Sequence, residues 1–298
     1  MISVVIPTRN RGELLVKCID AILKNSIKPD QIIIIDSSDP DKRKNVENLS
    51  NLIVQEFTDI KSAAVQRNQG INEVKTDCKY VSFLDDDVIV PENYFSKLIS
   101  CIENYGFIGI SGLAINVENA SGFKPKNRLE RYVSQIFLLD SNKNGVLLKS
   151  GVNVPVKIRG TLPVETEWLI GCSIWDFQKI KNLRFEEDFY GQSLGEDVIF
   201  SLKASSRGKI AVDPTIIINH LESSIMRPNP EEFFYMWIRN RKRIVDQMRS
   251  GFIKYLAFHW ANLGKIIQII LLPNSGKYLQ LKGIISGYKQ IIVDKNEN

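Results

Sequence analysis

Asp85-Asp86-Asp87 follows directly on the apolar run of residues 80–84. Adjacent carboxylates repel one another unless a cation shares their place. Carboxylate oxygens are also the ligands that Mg²⁺ and Mn²⁺ take, often together with substrate phosphates. Two readings stand at this point: a site for a metal-bound diphosphate, or an acidic turn facing water. A second acidic pair, Glu196-Asp197, follows Gly195 and opens a helical pattern over 198–206. Acids are favourable at any helix N-terminus. A carboxylate held within reach of a hydroxyl and partly desolvated is also a general base.

Positive and hydrogen-bonding groups recur between these acids. Thr8-Arg9-Asn10-Arg11 follows the strand pattern of residues 2–6, Asp36 follows four isoleucines at 32–35, and Arg67-Asn68 lies in a short helical pattern. The elements that must position them alternate. Strand patterns at 2–6, 32–35, 52–57 and 80–84 are separated by helical patterns at 13–24 and 63–74, and a helix over 91–104 follows. Such alternation predicts right-handed crossovers and a mostly parallel sheet. All strand ends then face one side, where ligands of open α/β sheets collect. A helix starting near Gly12 would point its amide groups there too. Beyond Gly106 the alternation stops: 116–163 is polar, with strand-like fragments at 146–149 and 152–158. Ordered patterns resume at 168–175, 185–207, 210–212 and 215–219, and from Pro230 the chain reads as helices.

Composition narrows the class. Of 298 residues, 44% are hydrophobic and 24% charged, which suits a globular protein and excludes disordered or fibrous ones. The net charge of +5 is uneven. Residues 231–298 hold 11 Lys/Arg against 5 Asp/Glu, so the excess lies in the last quarter. That makes a nucleic acid or an anionic membrane surface a candidate partner for this segment alone; no nucleic-acid motif accompanies the charge, so nucleic acid is not expected. Cys18, Cys78, Cys101 and Cys172 show no zinc or redox spacing, and no export leader precedes Ile2. The expectation is a reduced, cytoplasmic protein. Two histidines and no Gly-x-Ser-x-Gly argue against hydrolases built on those groups.

These motifs, Val4-Val5-Ile6-Pro7-Thr8-Arg9-Asn10-Arg11, Ile34-Ile35-Asp36, Arg67-Asn68-Gln69-Gly70, Phe83-Leu84-Asp85-Asp86-Asp87 and Gly195-Glu196-Asp197, resemble in order and spacing those of family 2 glycosyltransferases with the GT-A fold. The resemblance spans residues 1 to about 220. It implies an α/β fold with a mixed sheet flanked by helices, followed by a C-terminal helical extension. The expected division is a nucleotide-sugar-binding half at 1–110, an acceptor-binding half at 111–225, and a basic helical extension at 226–298. It further implies inverting, metal-dependent transfer of a sugar, from a UDP- or dTDP-sugar first of all, to a saccharide or lipid-linked acceptor in cell-surface polysaccharide or glycolipid synthesis. Thr8 and Asp36 would contact the base, with Pro7, Asn10 and Arg11 beside them, and Arg67 would hold base or diphosphate. Asp85 would face the ribose and Asp87 would ligate Mn²⁺ or Mg²⁺, with Asp85 and His220 as further metal ligands. Asp86 is the least needed of the triplet. Asp197 would be the base, with Glu196 orienting the site; Trp168, Gly171 and Cys172 would shape the acceptor side. The family's second strand often ends in two acids and a glycine, whereas Asp36-Ser37-Ser38-Asp39 stands here. Two other classes remain open: a sugar nucleotidyltransferase, against which the lack of a glycine-rich first turn counts, and a non-catalytic nucleotide-sugar-binding scaffold.

The tail raises a separate question. Residues 251–272 are apolar but interrupted by Lys254, His259, Asn262, Lys265 and Gln268, too polar for a comfortable span. At ~100° per residue, Lys254, Asn262, Lys265 and Gln268 share one face, and Leu256, Leu263, Ile267 and Ile270 lie opposite. Either the apolar face packs on protein, or residues 239–272 make a peripheral contact on the inner face of the cell membrane.

Overall fold

The structure is a computed structural model. It describes residues 1–115, 128–157, 160–189, 194–221, 228–271 and 276–296. The chain forms two compact units, 1–120 with 156–222 and 121–155 with 223–298. The units divide the chain differently from the sequential partition expected at 110 and 225, because 121–155 joins the C-terminal helices.

In the first unit, β1 (Ile2–Thr8), β2 (Gln31–Asp36), β3 (Ile53–Phe57) and β4 (Tyr80–Phe83) form a parallel core in the order β3-β2-β1-β4. The sheet continues through five further strands. These are β5 (Val88–Ile89), β6 (Gly109–Ile115), β7 (Val164–Thr166), β8 (Ser173–Asp176) and β9 (Ile210–His220). Beyond β4 the order is β8-β6-β9-β5, with β7 also on β9 and antiparallel pairs at β4–β8, β6–β8, β5–β9 and β7–β9. The sheet is therefore mixed. Alternate residues of β1 and β2 enter opposite cores: Val4, Ile6, Ile32 and Ile34 on one face, Val5, Ile33 and Ile35 on the other. Burial on both faces is why β2 reads as an unbroken isoleucine run.

The first face is covered by α1 (Gly12–Leu23) and α3 (Tyr94–Tyr105). α2 (Ala63–Asn72), the short α5 (Phe177–Ile180) and α6 (Glu196–Ser205) cover the second. Elements after Gly106 depart from the patterns read above. β6 carries two glycines, which depress strand propensity and hide it. β9 runs unbroken through Asp213-Pro214, where a register shift against β6 absorbs the proline. Residues 168–172 are not a strand, and the helix near the second acidic pair starts at Glu196.

The second unit contains α4 (Arg128–Ile136), α7 (Pro230–Gln247), α8 (Ile253–Leu271) and α9 (Lys277–Asn296). The expected strands at 146–149 and 152–158 are not formed among the described residues. A tight turn with a single Leu147–Asn153 bridge stands there, and Ile158 lies outside those residues. α7 starts with a capping box between Asn229 and Glu232 and Pro230 in its first turn. Phe234, Ile238, Val245, Phe258, Ile269 and Ile284 form the core.

α8 is amphipathic in the inverse sense. Lys254 is 8% exposed and caps α7 by donating from Nζ to the carbonyls of Asp246 at 3.0 Å and Met248 at 2.6 Å. Asn262, 1% exposed, accepts from Arg241 and donates to the Tyr288 hydroxyl at 2.6 Å. Gln268 Nε2 donates to Ser134 Oγ at 3.0 Å. Lys254 and Asn262 point inward beside Phe258 and Ile269, while Leu256, Leu263 and Ile270 are exposed, so the expectation that this apolar face packs on protein fails within this chain. Inward capping and hydrogen-bonding needs drew the polar groups in.

Candidate active site

The acidic triplet lies in the turn between β4 and β5 at the carboxyl end of the parallel core. One ligand atom each from Asp85, Asp87 and His220 gather within 4.8 Å of one another. Strand pairing brings the histidine there. Val88 of β5 pairs with His220 at the end of β9, and the Leu221 amide donates to the Asp87 carbonyl at 2.7 Å. His220 Nε2 then stands 3.3 Å from Asp87 Oδ1. Asp86 takes a different path. It accepts from Thr8 Oγ1 at 2.7 Å and from Arg11 Nη1 at 3.1 Å, and the same Arg11 nitrogen reaches Asp87 Oδ2 at 2.8 Å.

Arg67 ties the two acidic motifs together. Its Nη2 donates to Asp85 Oδ1 at 2.6 Å and its Nη1 to Glu196 Oε1, while the guanidinium lies 5.5 Å from the Phe185 ring centroid. Asn68 fixes that phenylalanine, accepting from its amide at 2.8 Å and donating to its carbonyl at 3.0 Å. α6 begins abruptly because Gly195 takes a φ of 99°, open to glycine and strained for other residues. Asp197 opens the helix beside Glu196, with its Oδ1 on the Val198 amide at 2.8 Å. Gly171 lets a neighbouring loop approach: a Cβ there would stand 2.8 Å from Arg67 Nη2 and 3.2 Å from Asp85 Oδ1. Cys172 Sγ lies 3.6 Å from Asp85 Oδ2. Trp168 is buried, and its carbonyl accepts from Thr166 Oγ1 at 3.1 Å. Of the trio expected on the acceptor side, Gly171 and Cys172 thus line the Asp85–Arg67 contact.

Pro7, Thr8, Asn10 and Asp36 fall along the neighbouring ends of β1 and β2. Pro7 pairs with Ile35 and Thr8 with Asp36. Asp36 accepts from the Ser38 amide at 2.8 Å and from Gln55 Nε2 at 3.2 Å. Asn10, at a φ of 57°, exchanges hydrogen bonds with Asp39 at 2.8 and 2.9 Å, which is how this turn is made without a glycine. Two residues that sequence reasoning passed over brace these ends. Gln66 Nε2 donates to the carbonyls of Thr8 at 2.9 Å and Ile35 at 2.5 Å, and Gln55 holds Asp36. A buried glutamine one place before Arg67 was the available signal.

The electrostatics leave an excess of acid. Burial, with Asp87 close by, pushes Asp86 up to about 6 against Arg11 and Thr8. Burial and the Asp85 charge raise Asp87 as well. Desolvation raises half-buried Asp85 too, yet Arg67, His220 and Arg11 hold it below the ordinary carboxylate range. Burial lifts Glu196 to about 8 despite Arg67, with Asp197 and Asp85 adding to the rise. Burial likewise lifts Asp197 to about 6. Two carboxylates and an imidazole, crowded and only partly neutralised, suit a divalent ion that accepts oxygen ligands.

The sheet order, the strand-end acids and the second acidic pair define a GT-A-type transferase fold. The chain belongs to glycosyl transferase family 2, whose family model matches residues 3–157. A curated relative, the glycosyltransferase GlyG of Streptococcus pneumoniae serotype 4, is 29% identical over 129 residues, 41% of this chain; the chain spans 42% of that relative's length. Residues 1–349 of S. aureus TarS share the fold, with a TM-score of 0.57 at 14% identity over 96% of this chain and 80% of that one. TarS in complex with UDP-GlcNAc gives 0.57 at 13% identity over 95% and 79%. GalNAc-T7 with UDP, GalNAc and Mn²⁺ gives 0.58 at 16% identity, covering 100% of this chain and 57% of that one. At such identities the structures establish the fold alone.

Proposed function

We propose that this glycosyltransferase moves a sugar, with inversion, from a nucleoside diphosphate sugar to an acceptor hydroxyl on a saccharide or lipid-linked saccharide. UDP- and dTDP-sugars are the favoured donors; TarS and GalNAc-T7 were solved with UDP or a UDP-sugar. The observation that carries the reading is the Asp85–Asp87–His220 group beside the nucleotide-side strand ends. These three residues would hold Mn²⁺ or Mg²⁺. Such an ion supplies Lewis-acid neutralisation of charge on a departing diphosphate.

The protein's own groups do the rest. Thr8, Asp36 and the β1–β2 turn with Pro7, Asn10 and Arg11 would form the base side, and Arg67 would hold base or diphosphate. Asp86 braces Thr8 and Arg11 rather than facing the metal group. A single displacement inverts the anomeric carbon and needs one base and no protein nucleophile. Asp197 takes the acceptor proton as the hydroxyl oxygen attacks, and Glu196 orients Arg67 against Asp85. Trp168, Gly171 and Cys172 bound the acceptor side. Cell-surface polysaccharide or glycolipid synthesis is the setting this chemistry serves.

The test is thermal unfolding with UDP, dTDP and GDP, each with and without Mn²⁺. UDP or dTDP with Mn²⁺ should raise the melting temperature, and Asp87→Asn should remove the metal-dependent part. A chain that no nucleoside diphosphate stabilises would sink the reading.

A further inference from the structure

We infer that the α4–α8 face of the helical unit lies in the plane of an anionic lipid bilayer. This inference is independent of the donor chemistry proposed above.

The outward side of α8 carries a row of large apolar residues, with His259 the exposed polar residue among them. Ile253, Leu256, Trp260, Leu263 and Ile270 are all exposed, Leu256 by 56%. Phe252, just ahead of the helix, is 73% exposed. Their opposite numbers, Lys254 and Asn262, are buried. Water selects the reverse arrangement, and scattered exposed apolar residues need no explanation. A row of large apolar side chains turned out while Lys254 and Asn262 are turned in requires an apolar neighbour.

The face does not stop at α8. Trp260 Nε1 donates to the Ile136 carbonyl at 2.8 Å, and its ring lies 4.8 Å from that of Phe137. This joins α8 to α4, whose exposed apolar residues are Leu129, Tyr132 and Ile136, with Arg128 and Arg131 exposed beside them. Two helices thus present one contiguous apolar surface with Trp and Tyr on it, the aromatic types that favour a membrane–water boundary.

Charge decides between a bilayer and a protein partner. Residues 247–293 contain no Asp or Glu, and of their cations Arg249, Lys282 and Lys289 are exposed while Lys254 turns inward. Exposed Arg128 precedes Leu129, and exposed Arg249 precedes Phe252. α9 repeats the pattern, with exposed Tyr278, Ile285 and Ile292 interleaved with exposed Lys282 and Lys289. Apolar residues flanked by cations whose long stems can reach upward are what an in-plane helix needs at an anionic surface. Among the described residues no helix is long and apolar enough to cross a membrane.

The full chain should float with vesicles of phosphatidylcholine and phosphatidylglycerol and be recovered severalfold less with phosphatidylcholine alone. Leu256→Ser with Leu263→Ser should lower partitioning on the order of tenfold or more. Both positions are exposed, so melting temperature and its shift with UDP and Mn²⁺ should stay unchanged, separating this result from any failure of the donor reading. Three outcomes would overturn the inference: no flotation of the wild-type chain with anionic vesicles, equal flotation of the double variant, or a lipid-free dimer by light scattering that the double variant converts to monomer.

Discussion

Asp197 carries the sharpest expectation at the level of single residues. As a base it must be ionised, and burial has lifted it to about 6. The sign follows: kcat/KM should fall as pH drops below about 6 and level off above it, because protonation removes the acceptor of the proton. Asp197→Asn should lower kcat by roughly 10²–10⁴ while the shift with UDP and Mn²⁺ survives. Full turnover in that variant would refute the assignment. Gly171→Ala tests the crowding around Arg67 and Asp85 instead. Its methyl would enter a 2.8 Å gap to Arg67, so activity should drop by about 10² without loss of the fold. Wild-type kinetics for Gly171→Ala would show that Arg67 and Asp85 tolerate displacement. The chemistry-bearing residues were legible in the chain because strand ends, acids and arginines sit in consecutive motifs. Gln55 gave no signal, and Gln66 none beyond its place next to Arg67, since the role of a neutral side chain shows only once its partners are known.

At the level of elements, β5 shows how two residues place a candidate ligand. The resemblance named His220 as a further metal ligand, but only the Val88–His220 pairing shows how the end of β9 reaches the acidic triplet. α8 illustrates the opposite limit. Its period was readable, but which side faced in was not, because periodicity is symmetric between inside and outside. The inward Lys265 makes this testable. Burial, and then Arg241, lower it to about 7 from an ordinary 10.5. The unfolded chain therefore binds more protons than the folded one between about pH 7 and 10.5, and stability rises with pH across that window. Relative to Lys265→Met, the wild-type chain should gain on the order of 1–2 kcal/mol from pH 7 to 9. Parallel melting curves for the two proteins would show that Lys265 is not desolvated.

For the whole molecule, the division into units has consequences for truncation. Residues 121–155 belong with 223–298, where Phe137 fills the space left by Gly264. A chain ending at residue 222 should keep the sheet and its shift with UDP and Mn²⁺, yet lose amide protection over 128–155 in hydrogen exchange. Protection retained there would mean that α4 is stable without its helical partners. The linear sequence alone determined the parallel half of the sheet, the family resemblance, the metal-type acids and the helical, basic tail. These depend on local pattern: period, strand-end position and residue chemistry. Tertiary structure alone decided the strand order in the second half of the sheet, the β5–β9 pairing that carries His220 to Asp87, the Arg67 bridge between Asp85 and Glu196, and the outward turn of α8. Each of those pairs groups far apart in the chain, and only packing and hydrogen-bond satisfaction in three dimensions select the partner. The acidic triplet could be found by reading; what it faces had to be folded into place.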